Sequence, residues 1–342
     1  MQENTKTKII LLVPHNFGFI QMLVKNLEFH GYEVINASYE QGNFRYKNLS
    51  QRLENFYRKT ALNDKENKKK LKFEYFARHA CENIMNMESK ADYALVIRSD
   101  MFPTDYLKLI ASKSNKMISY QWDGLNRWPG VIKHIELYDR FFVFEKNDAL
   151  MFPDEQLIPL TNCYFDCDEE RLSDISSDIF FICTYVKKRH PIVEQFAHEI
   201  AKLGLIGDLN VYTGNEKIET RNADNIRYTT ETITYAEMLE KVKASKAILD
   251  ILDRTHNGLS FRIFDAMLYQ KKLITDNRLI LEYDFYRPNN IFVLSERNMD
   301  DLKTFINSPY QKLPQDIFEK YSFKNWVRYV LDQKPYIEIS VP

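Results

Sequence analysis

Residues 247–277 read AILDILDRTHNGLSFRIFDAMLYQKKLITDN. An apolar run at 247–251 enters a polar loop whose one glycine is Gly258, and a second apolar run closes the stretch at 272–275. Between them, from Ser260 to Tyr269, apolar residues recur at helical spacing. Strand, loop, helix, strand is a βαβ unit, which predicts parallel pairing with a right-handed crossover. A glycine-bearing loop that opens a helix presents free N–H groups and the positive end of the helix dipole, a natural anion site. Ser260 can cap that helix and donate its hydroxyl to a phosphate. Arg262 adds positive charge, and Asp265 can accept hydrogen bonds from ribose hydroxyls. The plain alternative is an ordinary βαβ unit in which Ser260 only caps and Asp265 only partners the helix dipole.

The same alternation extends in both directions. Upstream, 178–183 (DIFFIC) predicts a strand, about 191–203 a helix, 209–212 a strand, and 235–244 a helix. Downstream, a strand is expected near 291–294 and a final helix near 322–331. The chain opens likewise: 8–13 (KIILLV) is a continuous apolar run, as in a strand buried on both faces. A helix is expected at 19–29, with Ile20, Leu23, Val24 and Leu27 on one face, then Gly31 and a strand at 32–37. Residues 48–88 look helical and highly charged; the lysine run at 65–72 reads as a solvated face, or else as a phosphate or membrane patch. Further strands are expected at 93–98, 116–121 and 140–144. The fold class is therefore α/β, with two Rossmann-like doubly wound domains facing a cleft. The expected division is 1–155, a linker at 156–177, a second domain at 178–320, and a C-terminal helix and tail at 321–342.

Composition narrows the function. The 342 residues carry 47 Lys+Arg against 48 Asp+Glu, a net charge of -1, which argues against a dedicated nucleic-acid binder. The four cysteines make no disulfide framework. Cys163 and Cys167 lack the second pair of a metal site, and all four are expected to be reduced thiols. No apolar stretch approaches the ~20 residues of a membrane span, and the first apolar run is too short for a signal-peptide core. A cytoplasmic protein is expected, free or resting on the inner face of the membrane.

The stretch GLSFRIFDAM followed by KKLIT, with Tyr283–Tyr286 and Pro288–Ile291 after it, resembles the donor-binding segment of two-domain (GT-B) glycosyltransferases. The nearest resemblance is to bacterial CgeB-like enzymes and those of lipopolysaccharide or capsule assembly. In the family's pattern an acid precedes the loop and a second follows eight positions later; here Asn257 and Asp265 stand at those places. The resemblance implies that Asn257, Gly258, Leu259, Ser260, Arg262 and Asp265 bind a nucleotide-sugar donor. It extends to DIFFICTYVKKRHPIVEQF, where Thr184 stands at a turn often occupied by glycine and Lys187, Lys188 and Arg189 would face the leaving phosphates. It also extends to LNVYTGN, where Tyr212 and Gly214 would approach the base. Taken alone the first of these reads as a solvated basic loop, but with the Gly258 loop in the same domain the functional reading is favoured; a hairpin or turn glycine explains the second almost equally well.

The first domain is expected to take the acceptor, a glycan or glycolipid. Asp123, at a strand end in QWDG, can deprotonate an acceptor hydroxyl, and His15 follows the first strand; each is otherwise a plain loop residue. Arg98, Trp122, Arg127 and Trp128 suit sugar recognition, since sugar C–H faces pack on indole. Asp166-Cys167-Asp168 matches a metal-binding triplet of the other glycosyltransferase class, but such short patterns arise readily by chance. No metal and no cofactor beyond the donor are expected. The alternatives are a two-domain nucleotide-sugar epimerase, a two-lobed binding protein, or a non-catalytic relative of the same fold.

Overall fold

The structure is a computed structural model, and it describes residues 6–14, 18–39, 42–64, 67–167, 173–214, 225–252 and 257–342. By contacts the chain separates into two compact units. One comprises residues 1–16 and 23–142, the other 17–22 and 143–342.

Twelve strands form two six-stranded sheets. The first contains β1 (Lys8–Leu12), β2 (Glu33–Asn36), β3 (Ala91–Ile97), β4 (Ser114–Gln121), β5 (Arg140–Val143) and β6 (Leu157–Pro159), in the order β2-β1-β3-β4-β5-β6. The second contains β7 (Ser177–Thr184), β8 (Gly207–Tyr212), β9 (Ile226–Thr229), β10 (Ser245–Asp250), β11 (Lys272–Thr275) and β12 (Ile291–Val293), in the order β12-β11-β10-β7-β8-β9. Both sheets are parallel, with helices packed around them. The expected grouping of strands into two sheets holds.

Residues 9–13 are completely buried, so the apolar run at the start does form a central strand covered on both faces. The helices that matter below are α1 (Phe19–Phe29), α2 (Leu49–Ala61), α3 (Asn67–Phe76), α4 (Arg78–Met85), α5 (Thr104–Ser112), α6 (Lys146–Met151), α7 (His190–Lys202), α8 (Tyr235–Lys243) and α9 (Phe261–Leu268). Helix α8 begins with a capping box: Thr234 Oγ1 accepts from the Glu237 N–H while the Glu237 carboxylate accepts from the Thr234 N–H.

Each sheet reverses its winding direction once. In the first the reversal lies between β1 and β3, in the second between β7 and β10. At such a point the loops after two neighbouring strands diverge and leave a crevice at the strands' C-terminal ends, where α/β proteins hold ligands.

Part of the expected linker is core. Residues 160–165 are buried. Tyr164 bonds through its backbone to Tyr321 and Phe323, and the Trp326 indole N–H donates to the Thr161 carbonyl. The segment lacks periodicity because its backbone is satisfied by loop and helix ends rather than by a long strand.

Candidate functional site

In the second unit the crevice lies at the ends of β7 and β10. Asp250 closes β10 and is 2% exposed. Its Oδ1 accepts from Ser260 Oγ at 2.7 Å, from Arg262 Nε at 3.0 Å and from Arg262 Nη2 at 2.9 Å. Arg262 Nη1 also reaches the Ile182 carbonyl of β7 at 3.3 Å. Ser260 occupies the N-cap of α9, but its hydroxyl goes to Asp250 and makes no capping bond. The first turn of α9 is thereby left without a side-chain cap.

Arg189 spans the same crevice. Its Nη2 donates to the Thr184 carbonyl at 2.6 Å and its Nη1 to the Ile251 carbonyl at 3.4 Å, so one guanidinium ties the ends of β7 and β10. It is buried, and its Nε has no oxygen partner among the described residues. Burial pushes the neighbouring Cys183 thiol up, against the opposing pull of Arg189 and Arg262. Thr184, Lys187 and Lys188 are exposed on the loop that leads into α7.

The loop before α9 is held from three sides. Asn277 Nδ2 donates to the Asn257 carbonyl at 2.9 Å, and Asn162 Nδ2 donates to the Leu259 carbonyl at 2.9 Å. Gly258 lies against the Phe144 ring so closely that a Cβ would overlap it. The glycine is required by packing, a reason the sequence does not display. Gly214 does adopt a left-handed φ of +59°, as a turn after β8 demands, and Tyr212 precedes it at the strand end.

Two expected donor contacts point elsewhere. Leu259 is completely buried, so its side chain belongs to the core. Asp265 is 1% exposed and lies on the inner face of α9, where its Oδ1 accepts from the Tyr235 hydroxyl at 2.6 Å. Its Oδ2 has no partner among the described residues. Burial raises its carboxyl to about 7, more than Tyr235 and Arg262 lower it. Five residues from Ser260, the side chain has turned into the interior, to the Tyr235 hydroxyl at the start of α8.

In the first unit the corresponding cluster lies at the ends of β3 and β4. Arg98 makes a two-pronged pair with Asp100, Nε to Oδ1 and Nη2 to Oδ2, both at 2.7 Å. Its Nη1 donates to Asp123 Oδ2, and Arg127 Nη1 stands 3.7 Å from Asp123 Oδ1. Gln121 Nε2 donates to Asp100 at 2.7 Å. Burial lowers the Arg98 guanidinium, but Asp100 and Asp123 together hold it above its usual value. The Trp128 ring, 38% exposed, faces the guanidinium carbons of Arg98 and Arg127 at 5.1 and 5.7 Å from its centroid. Trp122 is half-buried beside them in sequence.

Behind this cluster sits His134, buried, with Nδ1 3.2 Å from Ser99 Oγ and Nε2 3.0 Å from Thr104 Oγ1. Burial lowers its pKa and keeps it neutral. Asp123, Arg98, Arg127 and Trp128 are thus brought together, whereas His15 lies outside the described residues. So does Asp168 of the Asp166-Cys167-Asp168 triplet. Among the described residues no group of His, Cys, Asp or Glu side chains is arranged to hold a metal ion.

No protein-family model matches the chain, and no curated protein does. Solved structures do resemble it. An alpha-glucosyltransferase in complex with UDP-glucose and DNA containing an abasic site is 12% identical, with TM-score 0.49, over 97% of this chain and 96% of that one. T4 phage BGT in complex with its UDP-glucose substrate is 11% identical, with TM-score 0.46, over 88% of each chain. LpCGTa in complex with UDP is 10% identical, with TM-score 0.46, over 89% of this chain and 91% of that one. At such identities the likeness concerns the course of the chain and not the site.

Proposed function

We propose that this protein is a glycosyltransferase of the GT-B type that takes a sugar from a nucleotide-sugar donor. The observation that carries this reading is the charge at the β7–β10 crevice. There Arg262 pairs with the buried Asp250 beside the uncapped start of α9, Arg189 ties the ends of β7 and β10, and Lys187 and Lys188 stand exposed on the loop that leaves β7. Such a surplus of donors and positive charge suits a diphosphate, whose charge grows as the sugar departs. Lys187 and Lys188 meet the outer oxygens, and Arg262 turns from Asp250 to the phosphate. Arg189, fixed to two carbonyls, sets the distance between the two strand ends. The leaving group's charge is met by these side chains, so the reading asks for no metal and no further cofactor.

The acceptor in this reading is a glycan or glycolipid of surface-polysaccharide assembly, held by the first unit. Trp128 offers an exposed indole face, with Trp122 nearby, and Arg127 offers hydrogen bonds to hydroxyls. Asp123 receives the acceptor proton once Arg127 or Arg98 releases one of its oxygens.

A thermal-shift series with UDP, GDP, CMP, TDP and ADP tests the donor half. One nucleotide should stabilise the protein by about 2.7 kcal/mol at a hundredfold excess over its dissociation constant. A series without any stabilising nucleotide defeats the reading. For the acceptor half, Asp123→Asn should leave nucleotide affinity within about twofold while transfer falls by roughly 10²–10⁴. Full transfer by that variant would make Asp123 a partner of Arg98 and nothing more.

A further inference from the structure

Helix α2 is built inside out. The one side chain it buries is Asn55, which donates to the Tyr46 hydroxyl at 3.1 Å and accepts from Asn67 Nδ2 at 3.0 Å. Its large apolar side chains face outward: Leu49 is 74% exposed, Leu53 67%, Phe56 65% and Tyr57 59%. At 3.6 residues per turn these four fall within about 100° of arc, with Asn55 on the far side. Leu62, just past the helix, is exposed as well. Arg52 and Lys59 flank the stripe on one edge, both exposed and with no ion-pair partner among the described residues.

Positive charge is concentrated around this helix. Residues 45–72 hold ten Lys and Arg against three Asp and Glu, in a chain whose net charge is -1. Arg45, Lys47, Lys68, Lys70 and Lys72 are exposed. A helix with a narrow apolar stripe bordered by cations lies in the plane of a membrane surface, its apolar side among the acyl chains and its cations among anionic headgroups. A core-facing helix would bury the stripe instead. No helix of the described residues is long and apolar enough to cross a membrane, so this contact is one of lying on the bilayer.

We propose that α2 is a membrane-surface element that seats the protein on a bilayer carrying anionic phospholipid, with Leu49, Leu53, Phe56 and Tyr57 inserted and Arg52, Lys59, Lys68, Lys70 and Lys72 paired with headgroups. The surface is independent of the donor-site reading, and either can fail without the other. It places the protein where a lipid-linked acceptor would be presented.

The test is co-sedimentation of the full chain with vesicles of phosphatidylcholine alone and of phosphatidylcholine mixed with phosphatidylglycerol. Wild type should pellet with the mixed vesicles, much less with the neutral ones, and be released at about 0.5 M salt, where charges are strongly screened. Leu53→Glu with Phe56→Glu should lower partitioning by roughly tenfold or more, with the melting temperature and nucleotide-induced shift unchanged, since both residues are exposed. Should that pair fold poorly, Arg52→Gln with Lys59→Gln carries the test and should reduce the preference for anionic vesicles. Failure of wild type to pellet, or pelleting insensitive to both pairs, overturns the proposal. A wild-type dimer that becomes monomeric in the Leu53→Glu/Phe56→Glu variant, without vesicle binding, also overturns it and assigns the stripe to a second copy of the chain.

Discussion

In the first unit two arginines, Arg98 and Arg127, meet two carboxylates, Asp100 and Asp123, and Arg98 has every guanidinium nitrogen engaged by them. In the second unit Arg262 pairs with Asp250, Arg189 is held by two backbone carbonyls, and Lys187 and Lys188 are exposed, while Asp265 is turned inward with its carboxyl raised to about 7. The second cluster lies at the reversal point of its sheet, between β7 and β10, whereas the first lies one strand to the side of its reversal point, at the ends of β3 and β4. The first is electrically closed: it fixes the course of its loops and offers an aromatic face and a carboxylate edge. Among the described residues the second has exposed lysines and fewer acids, and under the proposed function an incoming anion completes it. Two parallel six-stranded sheets thus carry two kinds of cluster, distinguished by whether the arginines arrive with enough acids.

If the first cluster is closed, opening it should be the most damaging change. Arg98→Leu leaves Asp100 and Asp123 facing each other with side chains 7% and 16% exposed. A buried pair broken on one side costs about 3–5 kcal/mol, readable as a lower midpoint of urea unfolding. A loss below about 1 kcal/mol would show that the surrounding loops need no such tie.

The inward carboxyl of the second unit gives the next effect. Asp265 sits at about 7 in the folded chain against 3.8 for an ordinary aspartate, so the folded state holds its proton more tightly. Between those two values stability should fall as pH rises, and above about 7 the loss should be complete, on the order of 4 kcal/mol. Asp265→Asn should flatten that dependence when unfolding midpoints are compared at pH 5 and pH 8. Parallel profiles for variant and wild type would mean Asp265 is ionised throughout, and the second cluster is less starved of acids than it looks.

The electrical contrast itself is read by nucleotide affinity. Arg262→Ala should weaken the stabilising nucleotide by about 1.5–3 kcal/mol, whereas Arg127→Ala should leave it unchanged. Equal effects from both substitutions would erase the distinction between the clusters. The smallest effect is conformational. Arg98 adopts φ +58°, so Arg98→Gly should be more stable than Arg98→Ala by about 1 kcal/mol, although both lose the ion pairs.

The central strands were legible because a strand covered on both faces must be apolar throughout. Residues 9–13 announce themselves for that reason, and so does the apolar pair Leu273 and Ile274 within β11. β9, at an edge, is only partly buried, and β6 is three residues long and ends in Pro159, so neither has a run to read. The candidate site was legible as a neighbourhood and not as contacts. The loop glycine, Ser260 and Arg262 follow from a strand–loop–helix pattern. That Ser260 and Arg262 turn to Asp250, that Arg189 spans two strand ends, and that Gly258 makes way for Phe144 depend on partners up to 114 residues away. Asp265 was misdirected by the same limit: helical phase places it five residues after the cap, but only the position of Tyr235 decides that it faces in.

Helix α2 has a further consequence, seen in amide exchange. A helix anchored by one asparagine and its two polar neighbours does not share the core's resistance to opening. Its amides should exchange with deuterium through local fraying in water, long before those of β1 or β10. Helices of this length are marginal when their apolar side finds no partner, and they gain order from whatever finally covers that side. In the presence of anionic vesicles the slowest-exchanging new signals should therefore come from residues 49–61, a protection pattern that appears without any change in the two sheets.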